Sequence, residues 1–171
     1  VGAPIAKYWI TRRAPAVVTE ALECHGGNGF IEENPMARLY REAPLNAIWE
    51  GSGNVICLDV LRSLAREEGA VDVLRGELMA AARADRRYDA ALKRLEAELP
   101  ELMRNEGQAR RLTERLALML QGSLLLRFAP AFVADAFIAT RLGDGWSGQF
   151  GDLPLSVDAA ALARRAVPAV S

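Results

Sequence analysis

The sequence predicts an all-α fold, a helical bundle, on three observations. Ala, Leu, Arg and Glu dominate while β-branched residues are sparse, which favours helix. Apolar residues recur at three- and four-residue intervals, as in the run Val55, Ile56, Leu58, Leu61 and Leu64. No convincing pair of strands can be traced anywhere in the chain. With 171 residues, 51% of them hydrophobic, the chain can form one domain, or one domain with a sizeable appendage. The net charge is −1, so no global field draws it to nucleic acid or anionic lipid.

Residues 5–24 read as helix, with Pro15 either kinking it or starting a new one at Ala14-Pro15. The second piece, 16–25, stops at Gly26-Gly27. A loop follows over 26–34. Pro35 then opens a short helix to about Glu42, Pro44 ends it, and 45–49 reads as extended. Ser52 or Asn54 caps the next helix, which runs to about Glu67. Gly69 punctuates, and 71–86 and 88–99 follow as helices with mixed charged faces. Pro100 opens another turn, and Gly107 falls in a break. Helices are expected over 108–126 and 130–141, then a turn-rich loop over 143–151 carrying Trp146, and a last helix over 157–166.

The most apolar stretch, 116–140, is interrupted by Arg127, Pro130 and Asp135, so it reads as buried helices and no membrane association is expected. No signal peptide is recognisable. Cys24 and Cys57 fit no CxxC or zinc spacing, which points to a reducing cytoplasm and to both as small buried hydrophobes, a disulfide between them being the alternative. His25, the single histidine, has no second ligand at metal spacing and reads as a helix-terminal or interface residue; no metal site is expected. The chain begins at Val1 and soon enters a helical pattern, which suggests a piece of a longer protein.

Chemistry concentrates at Ile48-Trp49-Glu50-Gly51-Ser52-Gly53-Asn54. A lone acid stands between an aromatic residue and a Gly/Ser/Gly turn, where an amphipathic helix begins. Such a turn can hold one carboxylate at the lip of a pocket, as a proton-transfer base requires; the competing reading is a residue that merely solvates a helix start. Upstream stand Glu-Cys-His-Gly-Gly-Asn-Gly-Phe over 23–30 and Tyr-Arg-Glu-Ala-Pro over 40–44. In this order and spacing the segment 20–62 resembles the C-terminal domain of acyl-CoA dehydrogenases. The wording is most similar to the AidB branch, the alkylation-response relatives of isovaleryl-CoA dehydrogenase.

The resemblance implies an FAD-dependent α,β-dehydrogenation of an acyl-CoA thioester, with Glu50 as the base that removes the α-proton. Gly26, Gly27 and Gly29 resemble a loop that approaches FAD bound mainly by a neighbouring subunit; a missing Cβ lets backbone N–H groups come close to such a ligand. Ser52 and Asn54 stand where the family has Thr and Gln near the flavin nucleotide. Glu23 stands where the family frequently has Gln. Arg41 reads as structural, in an Arg41–Glu42 or inter-helix ion pair holding the loop before Glu50. Trp49 either lines the acyl pocket or simply packs.

The resemblance divides the chain into 1–70, part of the C-terminal dehydrogenase domain, and 71–171, an AidB-type helical extension of about a hundred residues. The family's amino-terminal helical and middle β-domains are absent, so this chain alone is expected to be inactive. The full protein is expected to be a homotetramer. AidB-type extensions are associated with double-stranded DNA. Here Arg83, Arg86, Arg87, Lys93, Arg94, Arg104, Arg110, Arg111 and Arg115 alternate with acids, so either a DNA-binding face or a solvated face laced with i,i+4 pairs fits. The alternatives to an enzyme are therefore a DNA-binding damage-response module and an assembly domain alone.

Overall fold

The computed structural model describes residues 1–143 and 148–168; Trp146 lies outside them. The described residues form α-helices without strands, as expected. In order they are α1 (Gly2–Cys24), α2 (Pro35–Glu42), α3 (Gly53–Arg66), α4 (Ala70–Met79), α5 (Arg86–Arg104), α6 (Ala109–Phe128), α7 (Ala131–Arg141) and α8 (Ala159–Ala166). Short 3-10 turns lie at Gly26–Gly29, Ala43–Ala47 and Glu106–Gln108. The chain divides into two compact units, Val1–Ala70 with Glu101–Ala117, and Val71–Pro100 with Leu118–Ser171.

In the first unit α1 is one continuous helix with Pro15 inside it. A proline there removes a backbone donor, at a cost of about 3 kcal/mol. Packing of α2, α3 and the Ala43–Ala47 turn along α1 offsets that cost. α2 starts at Pro35, as the sequence indicates. Asn34 before it is extended, because a residue preceding proline is pushed out of the helical region. The segment expected to be extended at 45–49 is instead a 3-10 turn over Ala43–Ala47 that runs into a turn. The φ of Pro44 suits both forms, and the buried small side chains of Ala43 and Ala47 let the tight turn approach α1. α3 buries Ile56, Cys57, Val60, Leu61 and Leu64 at helical spacing. Each buried Leu or Ile contributes about 1.5–3 kcal/mol.

In the second unit the helix expected over 71–86 stops at Met79. Asp85 ends any continuation by capping α5: its carboxylate accepts from the N–H groups of Arg87 (2.7 Å) and Tyr88 (3.4 Å). Arg83 takes φ 72 in the connection, and its N–H donates to Asp89 at 2.9 Å. α5 runs through Pro100, where a new turn was expected. That proline and Glu96, whose carbonyl loses its amide donor, both lie on an exposed face where water can serve. Tyr88, Ala91, Leu92 and Leu95 form the buried stripe of α5. The Tyr88 hydroxyl donates to the Leu78 carbonyl (2.8 Å), and Ser123 donates to the Glu77 carbonyl (2.9 Å), tying α4 to α5 and α6. Arg87 bridges Asp85 and Asp135 at 2.6 Å each, tying α5 to α7.

Asp85→Ala is expected to destabilise this unit by about 1 kcal/mol at neutral pH through the lost cap. Its hydrogen bond from Arg87 holds the Asp85 carboxyl below its ordinary value of 3.8. A depressed folded value means the stabilisation is complete above the unfolded value and lost as pH falls through the folded one. Urea unfolding of both proteins should therefore show a gap at pH 7 that closes on acidification below about pH 4.

Candidate functional site

The segment 48–52 is a reversal placed on the first turns of α1. The Ile48 and Trp49 N–H groups both donate to the Leu45 carbonyl, at 2.9 and 3.2 Å. Glu50 then adopts a left-handed backbone at φ 54, and Gly51 follows at φ 110. Left-handed geometry costs a side-chain-bearing residue about 1–2 kcal/mol, so its surroundings must hold it. At Gly51 a Cβ would also stand 3.2 Å from Ile56 Cγ1. Ser52 is the N-cap residue of α3 by its extended backbone, without a side-chain cap bond. Gly53 is buried; a Cβ there would meet Arg12 Cδ at 3.2 Å and Tyr8 Cε2 at 3.5 Å. Lys7 of α1 completes the seat, its ammonium donating to the Trp49 carbonyl and, at 3.4 Å, to the Gly51 carbonyl.

Glu50 is exposed, and among the described residues no hydrogen bond or ion pair engages its carboxylate. Beside it Ile48 and Trp49 are 61% and 56% exposed. Trp49 is thus not packed into this unit. The turn presents a free carboxylate flanked by apolar surface, a combination suited to a proton acceptor facing an apolar substrate chain.

Beneath the turn the packing is polar but satisfied. Cys57 is fully buried, as expected; burial pushes its thiol up, while hydrogen bonds shared with Thr113 and Tyr8 oppose the shift. Burial and the neighbouring Cys57 push the Tyr8 phenol up as well. Both stay protonated near neutral pH and act as internal packing. Cys24, expected to be buried, is exposed at the end of α1 instead. Asn54 lies in the first turn of α3, and its side-chain oxygen accepts from Arg110 Nε at 3.2 Å. Asn54 and Ser52 are both exposed.

The glycine loop is built at the other end of α1. His25 ends that helix, its Nδ1 2.8 Å from the Ala21 carbonyl. Gly26 turns left-handed at φ 57. Gly29 is buried, and a Cβ there would stand 2.3 Å from the Leu22 carbonyl oxygen, so only glycine fits. Gly26 and Gly27 are exposed, with nothing within 4 Å of where a Cβ would lie. Their backbone is open on one side. Arg41 does not pair with Glu42 and does not brace the loop before Glu50. It grips Glu32 with two bonds, of 2.5 and 2.8 Å, and ties the glycine loop to α2. That grip holds the Glu32 carboxyl below the usual carboxylate range. Glu42 pairs with Arg38, one turn away on the same helix.

The predicted site residues therefore fall in two places. Ser52 and Asn54 accompany Glu50, whereas Gly26, Gly27 and Gly29 do not. From Lys7 under one group to Leu22 under the other, α1 rises about 22 Å. Three residues under the turn, Lys7, Tyr8 and Arg12, escaped the sequence reading. The one signal for them was the rarity of lysine: Lys7 and Lys93 are the only lysines among 21 basic residues. No group of three or more His, Cys, Asp or Glu among the described residues could hold a metal. None of the described helices is long and apolar enough to cross a membrane.

The pattern of the family "Acyl-CoA dehydrogenase, C-terminal domain" matches residues 1–65. The AidB protein of Escherichia coli (strain K12) is 40% identical over 139 residues, which are 81% of this chain and 25% of that protein. The 3-methylmercaptopropionyl-CoA dehydrogenase of Ruegeria pomeroyi is 34% identical over 115 residues, 67% of this chain and 17% of the relative. Caenorhabditis elegans ACDH-11, solved in complex with C11-CoA, superposes with a TM-score of 0.64 at 26% identity, covering 82% of this chain and 26% of its own. The chain thus spans about a quarter of the length of AidB and ACDH-11. By motif, sequence and fold together, this chain belongs to the acyl-CoA dehydrogenase family, its first 65 residues forming part of the C-terminal domain in an AidB-like version.

Proposed function

We propose that the full-length protein is an FAD-dependent acyl-CoA dehydrogenase that oxidises an acyl-CoA thioester to its α,β-unsaturated form, with Glu50 as the base. The observation that carries this reading is the unpaired Glu50 carboxylate, presented by a left-handed turn beside exposed Trp49 and Ile48. The α-C–H bond breaks, its proton passes to Glu50, and its electron pair forms the double bond as the β-hydrogen departs. When bound, FAD supplies the acceptor for that hydrogen and its electron pair.

The residues present fit such a cofactor. The open backbone at Gly26 and Gly27 suits close approach of a planar or anionic group. The exposed Ser52 hydroxyl and Asn54 amide offer hydrogen bonds within four residues of Glu50 in the chain. Because these sets lie at opposite ends of α1, the reading assigns the glycine loop to flavin held mainly by a neighbouring subunit of a homotetramer. Residues 1–70 are assigned to the dehydrogenase C-terminal domain and 71–171 to the AidB-type extension, in a cytoplasmic protein. This chain by itself is not expected to turn over.

The test is the absorption spectrum of the full-length protein, recorded without oxygen before and after isovaleryl-CoA or C11-CoA. Flavin bands that bleach on addition are the expected result; a protein without flavin, or a spectrum that neither thioester changes, overturns the enzyme. Salt-sensitive binding to duplex DNA that survives loss of flavin would support the damage-response alternative. A concentration-dependent oligomer with neither behaviour would leave assembly alone.

A further inference from the structure

We propose that Lys7 is a positioning residue for the proposed base, fixing the left-handed turn that presents Glu50. The inference rests on the dehydrogenase reading and adds a residue 42 positions away in sequence. The ammonium donates to the carbonyls of Trp49 and Gly51, the residues on either side of Glu50. It makes no ion pair with the Glu50 carboxylate among the described residues. The cation therefore holds the backbone and leaves the acid free.

The turn needs such a hold. Glu50 and Gly51 both stand at positive φ, and Ser52 supplies no side-chain cap to stabilise the reversal. Relaxation of Glu50 to an ordinary backbone would swing its side chain away from its present direction. Lysine suits the task better than arginine. Three tetrahedral donors can serve two carbonyls from different peptide planes, whereas a guanidinium fork matches one planar carboxylate. The chain uses arginine at all but two of its basic positions, yet has lysine here. α1 makes the anchor rigid, because Lys7 lies one residue from Tyr8, which packs against Gly53 just past the turn.

The experiment uses the full-length flavoprotein, with Lys7→Met, Lys7→Arg and Glu50→Gln made separately. Anaerobic flavin reduction by isovaleryl-CoA and C11-CoA is followed against thioester concentration, and amide hydrogen exchange is measured over 48–55. Lys7→Met should keep its FAD and lower the reduction rate at saturation by about 10- to 100-fold, since misplacement of a reacting group by about an ångström has that effect. Its half-saturating thioester concentration should stay within about threefold, because the loss falls on the chemical step. Exchange across 50–53 should quicken while α3 beyond it stays protected. Lys7→Arg, which keeps the charge and offers donors in a planar geometry, should recover part of the rate. A purely structural role would lower stability without splitting rate from binding.

A Lys7→Met protein that reduces its flavin at the parental rate overturns the proposal. If that variant does not accumulate folded, Lys7→Gln is measured in the same way, and the parental rate there overturns it equally. Failure of the underlying reading looks different: Glu50→Gln would then still be reduced by thioester, whatever Lys7→Met does.

Discussion

On the proposed dehydrogenase reading, Glu50→Gln in the full-length protein is expected to leave FAD bound and to lower thioester-driven flavin reduction by about a thousandfold, within the range that a positioned general base contributes. The amide has the shape of the carboxylate but cannot take up the α-proton. Little else should change, because the Glu50 side chain makes no bond that the substitution would break. The residue is exposed, and Gln tolerates its left-handed backbone about as well as Glu. Stability should therefore differ from the parent by no more than about 0.5 kcal/mol, as at other surface sites. The two readouts separate chemistry from folding. Anaerobic stopped-flow bleaching that proceeds within tenfold of the parental rate would remove Glu50 from the mechanism.

The largest stability effect is expected in the second unit, at Tyr88. Its side chain is fully buried, its hydroxyl donates to the Leu78 carbonyl, and its ring lies against α6 at Gly122, where a Cβ would stand 3.2 Å away. Tyr88→Ala removes the ring and leaves a cavity, costing about 3–5 kcal/mol. Tyr88→Phe keeps the ring and leaves the Leu78 carbonyl only the long 3.4 Å bond from the Ala81 N–H, costing about 1 kcal/mol. Burial pushes the phenol up from 10.0 to about 12. A raised folded value means that the stabilisation is complete below the unfolded value and lost as pH rises through the folded one. The alkaline loss of stability between pH 10 and 12 should thus be shallower in Tyr88→Phe than in the parent. Tyr8 adds to the slope in both proteins, so the difference between them isolates Tyr88. Urea unfolding followed by helical circular dichroism measures both effects, and a Tyr88→Ala cost below 1 kcal/mol would contradict the packing described.

The helices were legible wherever one residue forces a boundary. Pro35, behind an extended Asn34, starts α2; Gly69 stands at φ 74 between α3 and α4, and Pro130 is the N-cap residue of α7. Boundaries decided by tertiary contact were not legible. Ala80, Ala81, Ala82 and Ala84 are strong helix formers, yet α4 stops before them because Asp85 spends its carboxylate on the start of α5. Pro100 breaks most helices, but here water can serve the exposed carbonyl one turn back, which lowers the penalty without removing the clash of the ring. At the site, local wording exposed Glu50 and the glycines because turn and acid adjoin in sequence. Lys7 was invisible for the opposite reason: its partners are backbone carbonyls far along the chain, and carbonyls carry no sequence signature. Arg41 is readable as structural, but its partner Glu32 lies nine residues back, across a turn, where no helical spacing points to it.

The placement of the two residue groups on α1 has a mechanical corollary. Pro15 lies midway between Lys7 and Leu22, where the rod lacks one of its internal bonds. A bend of about six degrees there would carry each arm's end by about an ångström over the roughly 11 Å that separates it from Pro15. An ångström is a distance on which proton transfer depends. The straightness of this one rod therefore sets the separation of the two residue groups seated along it.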